Sequence, residues 1–405
     1  MNDKSRKWAI LLALLFATSS HGNLWAQDEA ASGSKTASDQ QRTTQPAGDQ
    51  QDMKEQEVVN WEQFRLTQTR SGAFGKTEIE QPAVAWKYST GDVIESSPAV
   101  CEGVLYIGGH AKNLHAIDAT SGELKWKFET EGWVRASPSV HDGIVYIGSD
   151  DNKFYAIDAK TGEKKWDFAL GEGGEQSSPA ISNGVVYFGG FDHFVYALDA
   201  KSGEEKWKFD AGASMLSSPG LDEDSVYIAT YQGELFAIDR NSGEKRWTFK
   251  QNDTPIFSTP AVIDGVVYFT SYDKHIYAIS AETGEIVWKH ETDGQIFSSP
   301  CVLDGIVYVG SNDNHLYALK TDGGDVVWKT DLKGAVFSSP TVTENSIYVG
   351  SSDGHFYALN RESGEVNWRH LVADGVNVWT SAAAINGRLY FGSHDGDVIA
   401  LQEVE

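Results

Sequence analysis

From residue 83 onward, short apolar runs alternate with polar turns in an order that returns every 40 or 41 residues. One period reads Val104-Leu105-Tyr106-Ile107-Gly108, then Leu114-His115-Ala116-Ile117-Asp118, then Thr120-Ser121-Gly122-Glu123, then Trp126, and later Ala136-Ser137-Pro138. The tryptophans Trp86, Trp126, Trp166, Trp207, Trp247, Trp288, Trp328 and Trp368 mark the phase, and Tyr106, Tyr146, Tyr187, Tyr227, Tyr268, Tyr308, Tyr348 and Tyr390 keep step. A fixed period of this length signals a repeat array and has to be read before any local element. The apolar runs are too short for helices and rich in β-branched and aromatic residues, which predicts strands. Four strands in about 40 residues make the blade of a β-propeller. Eight units therefore predict an all-β, eight-bladed propeller with four antiparallel strands per blade.

The turns carry their own chemistry. In Asp158-Ala-Lys-Thr-Gly-Glu163 the Asp can accept amide hydrogen bonds and Gly162 can take the left-handed conformation, so a hairpin is expected. Pro98, Pro138, Pro179, Pro219, Pro260, Pro300 and Pro340 are assigned to the innermost strand, which has a neighbour on one side only and loses no ladder bond to proline. The last unit reads Thr380-Ser381-Ala382 instead. It supplies three strands, within Ser381–Ile385, Arg388–Gly392 and Val398–Gln402, and lacks the fourth. Residues Ala83–Tyr88 form an outer strand with no inner strands of its own, so the N-terminal strand is expected to complete the last blade and close the ring.

The pattern V-Y-x-G, Y-A-[IL]-D, T-G-E, W, S-S-P resembles the PQQ-like (quinoprotein-type) propeller repeat, shared by quinoprotein dehydrogenases and BamB-like barrel-assembly proteins. The resemblance covers roughly residues 83 to 402. It implies that the eight tryptophans dock between adjacent blades and girdle the propeller. Trp61-Glu62-Gln63-Phe64-Arg65, with Arg70 and Gly72, resembles the W-x-x-F-R lead-in of secreted bacterial members, departing at Leu66 where glycine is usual.

Residues 1–26 read as a secretory signal. Lys4, Arg6 and Lys7 precede a ten-residue apolar core from Trp8 to Ala17, too short to cross a bilayer as a helix, which takes ~20 residues. Cleavage after Ala26, or retention as an anchor, are both open. Residues 27–57 contain no Val, Ile, Leu, Phe, Tyr or Trp, which predicts a disordered acidic and polar linker with a reach on the order of 30 Å. Residues 58–82 form a lead-in segment and residues 83–405 the propeller. No cysteine stands near the cleavage site, so the lipoprotein route implied for barrel-assembly members is closed, and the expected location is periplasmic or extracellular, in the cell envelope. The two cysteines, Cys101 and Cys301, fall on inner strands of the first and sixth blades and are expected to stay apart, since a disulfide needs Cα atoms within about 7 Å.

Net charge is −25, and loss of the signal with its Lys4, Arg6, Lys7 and Asp3 would make it −27. That balance argues against nucleic acid and anionic membrane as partners. The chain lacks a Gly-rich phosphate loop, His-Glu-x-x-His, Gly-x-Ser-x-Gly and Cys-x-x-Cys. A quinoprotein dehydrogenase is expected, from the resemblance, to be longer and often to carry adjacent cysteines against its cofactor. Hence no cofactor is expected, with PQQ and calcium as the alternative. His275, His315 and His355 repeat in consecutive blades, but blade separation on the order of 10 Å is too wide for one zinc ion, whose ligands lie ~2 Å away. Asp150-Asp151-Asn152 and Asn312-Asp313-Asn314 read as turns rather than calcium loops.

The Thr-Gly-Glu end is nearly uniform from unit to unit and reads as structural. The opposite end varies. Just before each Ser-Ser-Pro step stand Glu95, Arg135, Gln176, Leu216, Phe257, Phe297, Phe337 and Trp379, with Trp133 nearby, and all are placed at the channel mouth. Blades five to eight offer large aromatics and the first three offer polar groups, so a half-aromatic mouth is expected that recognises a protein, peptide or glycan, or one plugged by its own phenylalanines. The functional expectation is an exported, monomeric, non-catalytic binding or scaffold propeller. A quinone- and calcium-dependent dehydrogenase-like enzyme and a structural spacer in a surface assembly are the alternatives.

Overall fold

The computed structural model describes residues 77–174 and 177–404. The expected signal at 1–26 and expected linker at 27–57, the Trp61 lead-in and Gln176 lie outside the described residues. What is described is all-β: thirty-two strands arranged as eight four-stranded antiparallel sheets, each one blade. Blade 1 comprises Ala99–Cys101, Val104–Ile107, Asn113–Asp118 and Leu124–Glu129 from channel to rim. Blades 2 to 7 repeat this order. Blade 8 is Ala383–Ile385, Arg388–Gly392 and Asp397–Glu403, with Pro82–Ser89 as its outer strand, Trp86 opposite Ala400. The closure expected from the strand count is thus present, with the N-terminal strand one residue longer at each end than the apolar run suggested. The proline series is displaced from its expected place: Pro98 directly precedes the inner strand, which starts at Ala99. The inner strands are only two or three residues long, and proline's fixed φ leads the chain into them.

The core lies between blades rather than within them. Tyr106, Leu114 and Ala116 of blade 1 pack with Val145, Ile147 and Ile157 of blade 2. The seam between blades 7, 8 and 1 is filled by Phe356, Leu389, Val398, Leu105 and Ile117 among others. Burying each such side chain stabilises the fold by about 2 kcal/mol.

At the Thr-Gly-Glu end, all eight indoles donate to a main-chain carbonyl. Trp86 Nε1 reaches Ala119 O at 3.1 Å, Trp126 reaches Ala159 O at 3.1 Å, Trp247 reaches Ala281 O at 2.9 Å and Trp288 reaches Thr321 O at 2.7 Å. Trp166, Trp207 and Trp328 do the same to Ala200, Arg240 and Arg361. Every ring except that of Trp368 lies on the next blade's turn glycine. A Cβ on Gly162 would come within 2.8 Å of Trp126 Cδ2, and Gly162 itself has φ +76°. Glycine is therefore required there twice over, by conformation and by the close approach. Trp368 faces the seam, where no such turn exists, and donates to Ile79 O at 2.6 Å instead. Tyr348 OH accepts from Ile79 N and donates to Thr77 O. Residues 77–79 thus stand in for the missing eighth turn.

A second set of bonds runs round the channel. The N–H of Ser97 donates to Ser137 Oγ, Ser137 N to Ser178 Oγ and Ser178 N to Ser218 Oγ, at 2.9–3.0 Å. Thr259 N donates to Ser299 Oγ, Ser299 N to Ser339 Oγ, Ser339 N to Ser381 Oγ, and Ser381 N back to Ser97 Oγ at 2.9 Å. The serine of the Ser-Pro step is therefore a link from blade to blade.

Candidate functional site

Two segments of every blade meet at the end opposite the tryptophan girdle: the loop entering the inner strand and the turn between the second and third strands. One main-chain hydrogen bond fixes them together in all eight blades. His110 N donates to Val93 O, Asp150 N to Trp133 O, Phe191 N to Gly174 O, Tyr231 N to Ser214 O, Tyr272 N to Pro255 O, Asn312 N to Gln295 O, Ser352 N to Ala335 O and His394 N to Asn377 O, at 2.8–3.2 Å. Each acceptor stands two residues before one of the mouth residues. The bond therefore sets a turn residue beside each: His110 with Glu95, Asp150 with Arg135, Tyr231 with Leu216, Tyr272 with Phe257, Asn312 with Phe297, Ser352 with Phe337 and His394 with Trp379.

The aromatic side of this double ring is continuous. Phe257 stacks on Phe297 with centroids 4.7 Å apart and planes 6° from parallel. Phe297 meets Phe337 at 5.4 Å, Phe337 meets Trp379 at 4.7 Å, and Trp379 meets His394 edge-on at 4.2 Å. Tyr231 and Tyr272 stand edge-on to Phe257, and Phe191 edge-on to Tyr231. Five of these seven contacts join neighbouring blades, so the arc follows the rim of the mouth. Phe257 is 9% exposed and belongs to the core, whereas Leu216, Phe297, Phe337 and Trp379 are half-buried.

The polar side is made of ion pairs. Glu95 Oε2 lies 3.2 Å from His110 Nε2, and Arg135 lies 2.8 Å from Asp150. Trp133, 43% exposed, lies flat on His110 at 4.2 Å and 3° and is flanked by the Arg135 guanidinium at 5.5 Å. Burial opposes the ionised form of Glu95, but His110 beside it and the charges of Arg135 and His394 outweigh burial and hold its carboxyl below the usual range. Burial pulls the His394 imidazole down, against the opposing pull of Glu95. Burial likewise pushes the phenols of Tyr231 and Tyr272 up. Arg135 Nε, Ser177 Oγ and His394 Nε2 are buried at this end without a hydrogen-bond partner among the described residues.

Of the residues read from the sequence, Glu95, Trp133, Arg135, Leu216, Phe257, Phe297, Phe337 and Trp379 are at this end, and Gln176 is not described. The turn partners His110, Phe191, Tyr231, Tyr272 and His394 were missed. Their signal was available: Phe191, Tyr272 and His394 immediately precede the turn's Asp, His110 and Tyr231 hold the same place before Ala111 and Gln232, and that turn sits at the same end as the Ser-Ser-Pro step. The Asp itself is structural. Asp151, Asp192, Asp273, Asp313 and Asp353 each accept from the tyrosine four residues on, at 2.6–2.8 Å, so these acidic runs are turns, as expected. His275, His315 and His355 each contact the Asp of their own turn. Among the described residues no three His, Cys, Asp or Glu come close enough to share a metal ion. Cys101 and Cys301 lie in the inner strands of blades 1 and 6, Cys301 buried and Cys101 half-buried. Among the described residues no helix is long and apolar enough to cross a membrane.

The family model of the outer membrane protein assembly factor BamB matches residues 76–193, 191–302 and 295–403. Among solved structures, BamB from Moraxella catarrhalis superposes with a TM-score of 0.68 at 23% identity, covering 79% of this chain and 97% of that one. A europium-containing methanol dehydrogenase superposes at 0.76 with 13% identity, covering 86% and 98%. The quinohemoprotein alcohol dehydrogenase of Comamonas testosteroni superposes at 0.71 with 15% identity, covering 84% and 80%. Identities this low establish the shared fold alone. No curated protein matches the sequence.

Proposed function

The chain belongs to the family of the outer membrane protein assembly factor BamB, and from that premise we propose that it is an exported, non-catalytic scaffold of the cell envelope that holds a protein or peptide at its channel mouth. The observation that carries this reading is the double ring. Seven of its positions are large aromatics in contact, and they border a sector of ion pairs, so one ligand meets an apolar wall and a polar one. Aromatic anchors inside a polar rim are the usual make-up of a protein-binding hot spot. The buried polar atoms of Arg135, Ser177 and His394 support it further, because each costs about 1–3 kcal/mol while unmatched and a ligand group or water would satisfy it. Export rests on the sequence of residues 1–26, and the missing cysteine near the cleavage site speaks against a lipid anchor.

The dehydrogenase relatives make PQQ with calcium the competing reading. Against it stand the lack of a three-ligand acidic or imidazole cluster among the described residues, the placing of Cys101 and Cys301 in different blades, and the engagement of Glu95 with His110 and of Asp150 with Arg135. The test pairs two measurements. An immobilised library of extended peptides is probed with the wild type and with a Phe297→Ala/Trp379→Ala variant whose circular dichroism matches it. A loss of at least tenfold in retained signal is expected. Equal retention by both proteins overturns the mouth as the site. A raised melting temperature with PQQ and calcium, accompanied by quinone absorbance, overturns the non-catalytic reading.

A further inference from the structure

Each outer strand carries a β-bulge just before its tryptophan, which leaves one residue unpaired and facing outward. In blade 1 the register passes from Trp126 opposite Ala116 to Leu124 opposite Ile117, leaving Lys125 as the extra residue. The equivalents in blades 2 to 4 are Lys165, Lys206 and Arg246. Each of these four cations pairs with the Asp that ends the third strand of its own blade: Lys125 with Asp118 at 3.0 Å, Lys165 with Asp158 at 2.8 Å, Lys206 with Asp199 at 3.3 Å and Arg246 with Asp239 at 2.8 Å.

Both partners change together in the next blades. Blade 5 has Ser280 and Val287, and blade 6 has Lys320 and Val327. Val287 is 58% exposed and Val327 45%, and their neighbours Ile286 and Val326 are exposed as well. A single exposed valine is ordinary. Here a β-branched pair replaces an ion pair on consecutive blades, at the edge of a sheet, where charge is what usually prevents unwanted pairing. These side chains stay about half exposed in the folded chain, so the substitution points to something that covers them.

The surrounding charge indicates what. From Ser280 to Glu291 the blade 5 rim holds three carboxylates, Glu282, Glu285 and Glu291, against Lys289 alone. Blade 6 holds Asp322, Asp325 and Asp331 against Lys320 and Lys329. A second copy would bring a chain of net charge −25 onto an acidic surface. The outer strands pair on one side only, and their free main-chain edge suits an extended segment. We propose that the rims of blades 5 and 6 dock an extended, basic and apolar segment of a partner protein, with Ile286, Val287, Val326 and Val327 taking its apolar side chains and Glu285 and Asp325 its cations. This surface is separate from the mouth.

A fluorescent, end-capped decapeptide alternating valine and lysine is the probe, read by anisotropy against the full chain. Val287→Lys/Val327→Lys and Val287→Asn/Val327→Asn are the variants; both install residues that sister blades carry at the same bulge, so the fold is kept, and unchanged melting curves verify it. The expected result is binding by the wild type, at least tenfold weakening in both variants, and retention in the Phe297→Ala/Trp379→Ala protein. Absence of wild-type binding, equal binding by the rim variants, or loss in the mouth variant alone would overturn the proposal. So would sedimentation showing a dimer that the rim variants dissolve, since the occupant would then be a second copy.

Discussion

His115 occupies a register that Tyr155, Tyr196, Tyr277, Tyr317 and Tyr357 fill in other blades. It is 4% exposed, and its Nδ1 lies 3.0 Å from the hydroxyl of Tyr88, on the strand that closes the ring. Burial, with a smaller push from Lys127, lowers its pKa to about 4. An unfolded histidine titrates near 6.5, so the unfolded chain takes up this proton first. The contribution of neutral His115 is therefore complete above pH ~6.5 and is lost as pH falls toward 4, by up to about 3 kcal/mol. Urea midpoints measured from pH 8 to pH 4 should fall less steeply in His115→Phe than in the wild type; parallel curves would refute the assignment. Glycine offers a sharper contrast. Gly143 and Gly162 share a positive φ, but a Cβ on Gly143 meets nothing within 4 Å while one on Gly162 strikes Trp126. Gly143→Ala should cost about 1 kcal/mol, from backbone strain alone. Gly162→Ala should cost at least about twice that, and equal denaturation midpoints would show that the indole yields freely.

At the scale of the blade, the strands and turns were legible because short apolar runs rich in β-branched and aromatic residues, and Thr-Gly-Glu turns, are local signals. The Ser-Ser-Pro step was legible as a landmark but not as a mechanism. Its serine hydroxyl accepts from a residue about 40 positions earlier, and a bond of that separation leaves no local trace beyond the repetition itself. The mouth divides in the same way. The loop residues Phe297, Phe337 and Trp379 could be placed from phase. Their partners on the second-to-third-strand turns emerge only once the turn N–H is seen donating into the entry loop. The serine link can be tested where it crosses the seam. Ser97→Ala removes the acceptor of the buried Ser381 N–H, which should cost about 1–3 kcal/mol. Ser97→Thr should cost less, since it keeps a hydroxyl that can accept from the Ser381 N–H, and threonine stands at this position in blade 5 (Thr259). If both variants melt with the wild type, the ring of hydroxyls is incidental to stability.

Over the whole ring, the two halves differ more than their common repeat requires. Blades 5 to 8 present both the larger part of the aromatic arc of the mouth and the rim positions Val287, Val327, Asn367 and Ala85, whereas blades 1 to 4 present ion pairs at the rim. A closed ring can hold such unlike halves together because no blade is stable alone and each is fixed by its two neighbours. The seam is consequently the point on which the molecule depends. There Trp86 and Tyr390 share Ala119 O, Arg388 bonds Ala119 O and Thr120 O, and Glu403 accepts from Glu80 and Gln81. A chain starting at Thr90 would lose Trp86, the stand-in turn at 77–79 and the only outer strand of blade 8, exposing the edge of Asp397–Glu403. It should lose soluble yield and become sensitive to protease. A synthetic peptide of residues 77–89, supplied during refolding, should restore both by filling the vacant edge. Recovery without the peptide would mean that seven complete blades and one of three strands suffice, and that the N-terminal strand secures the ring without being needed to form it.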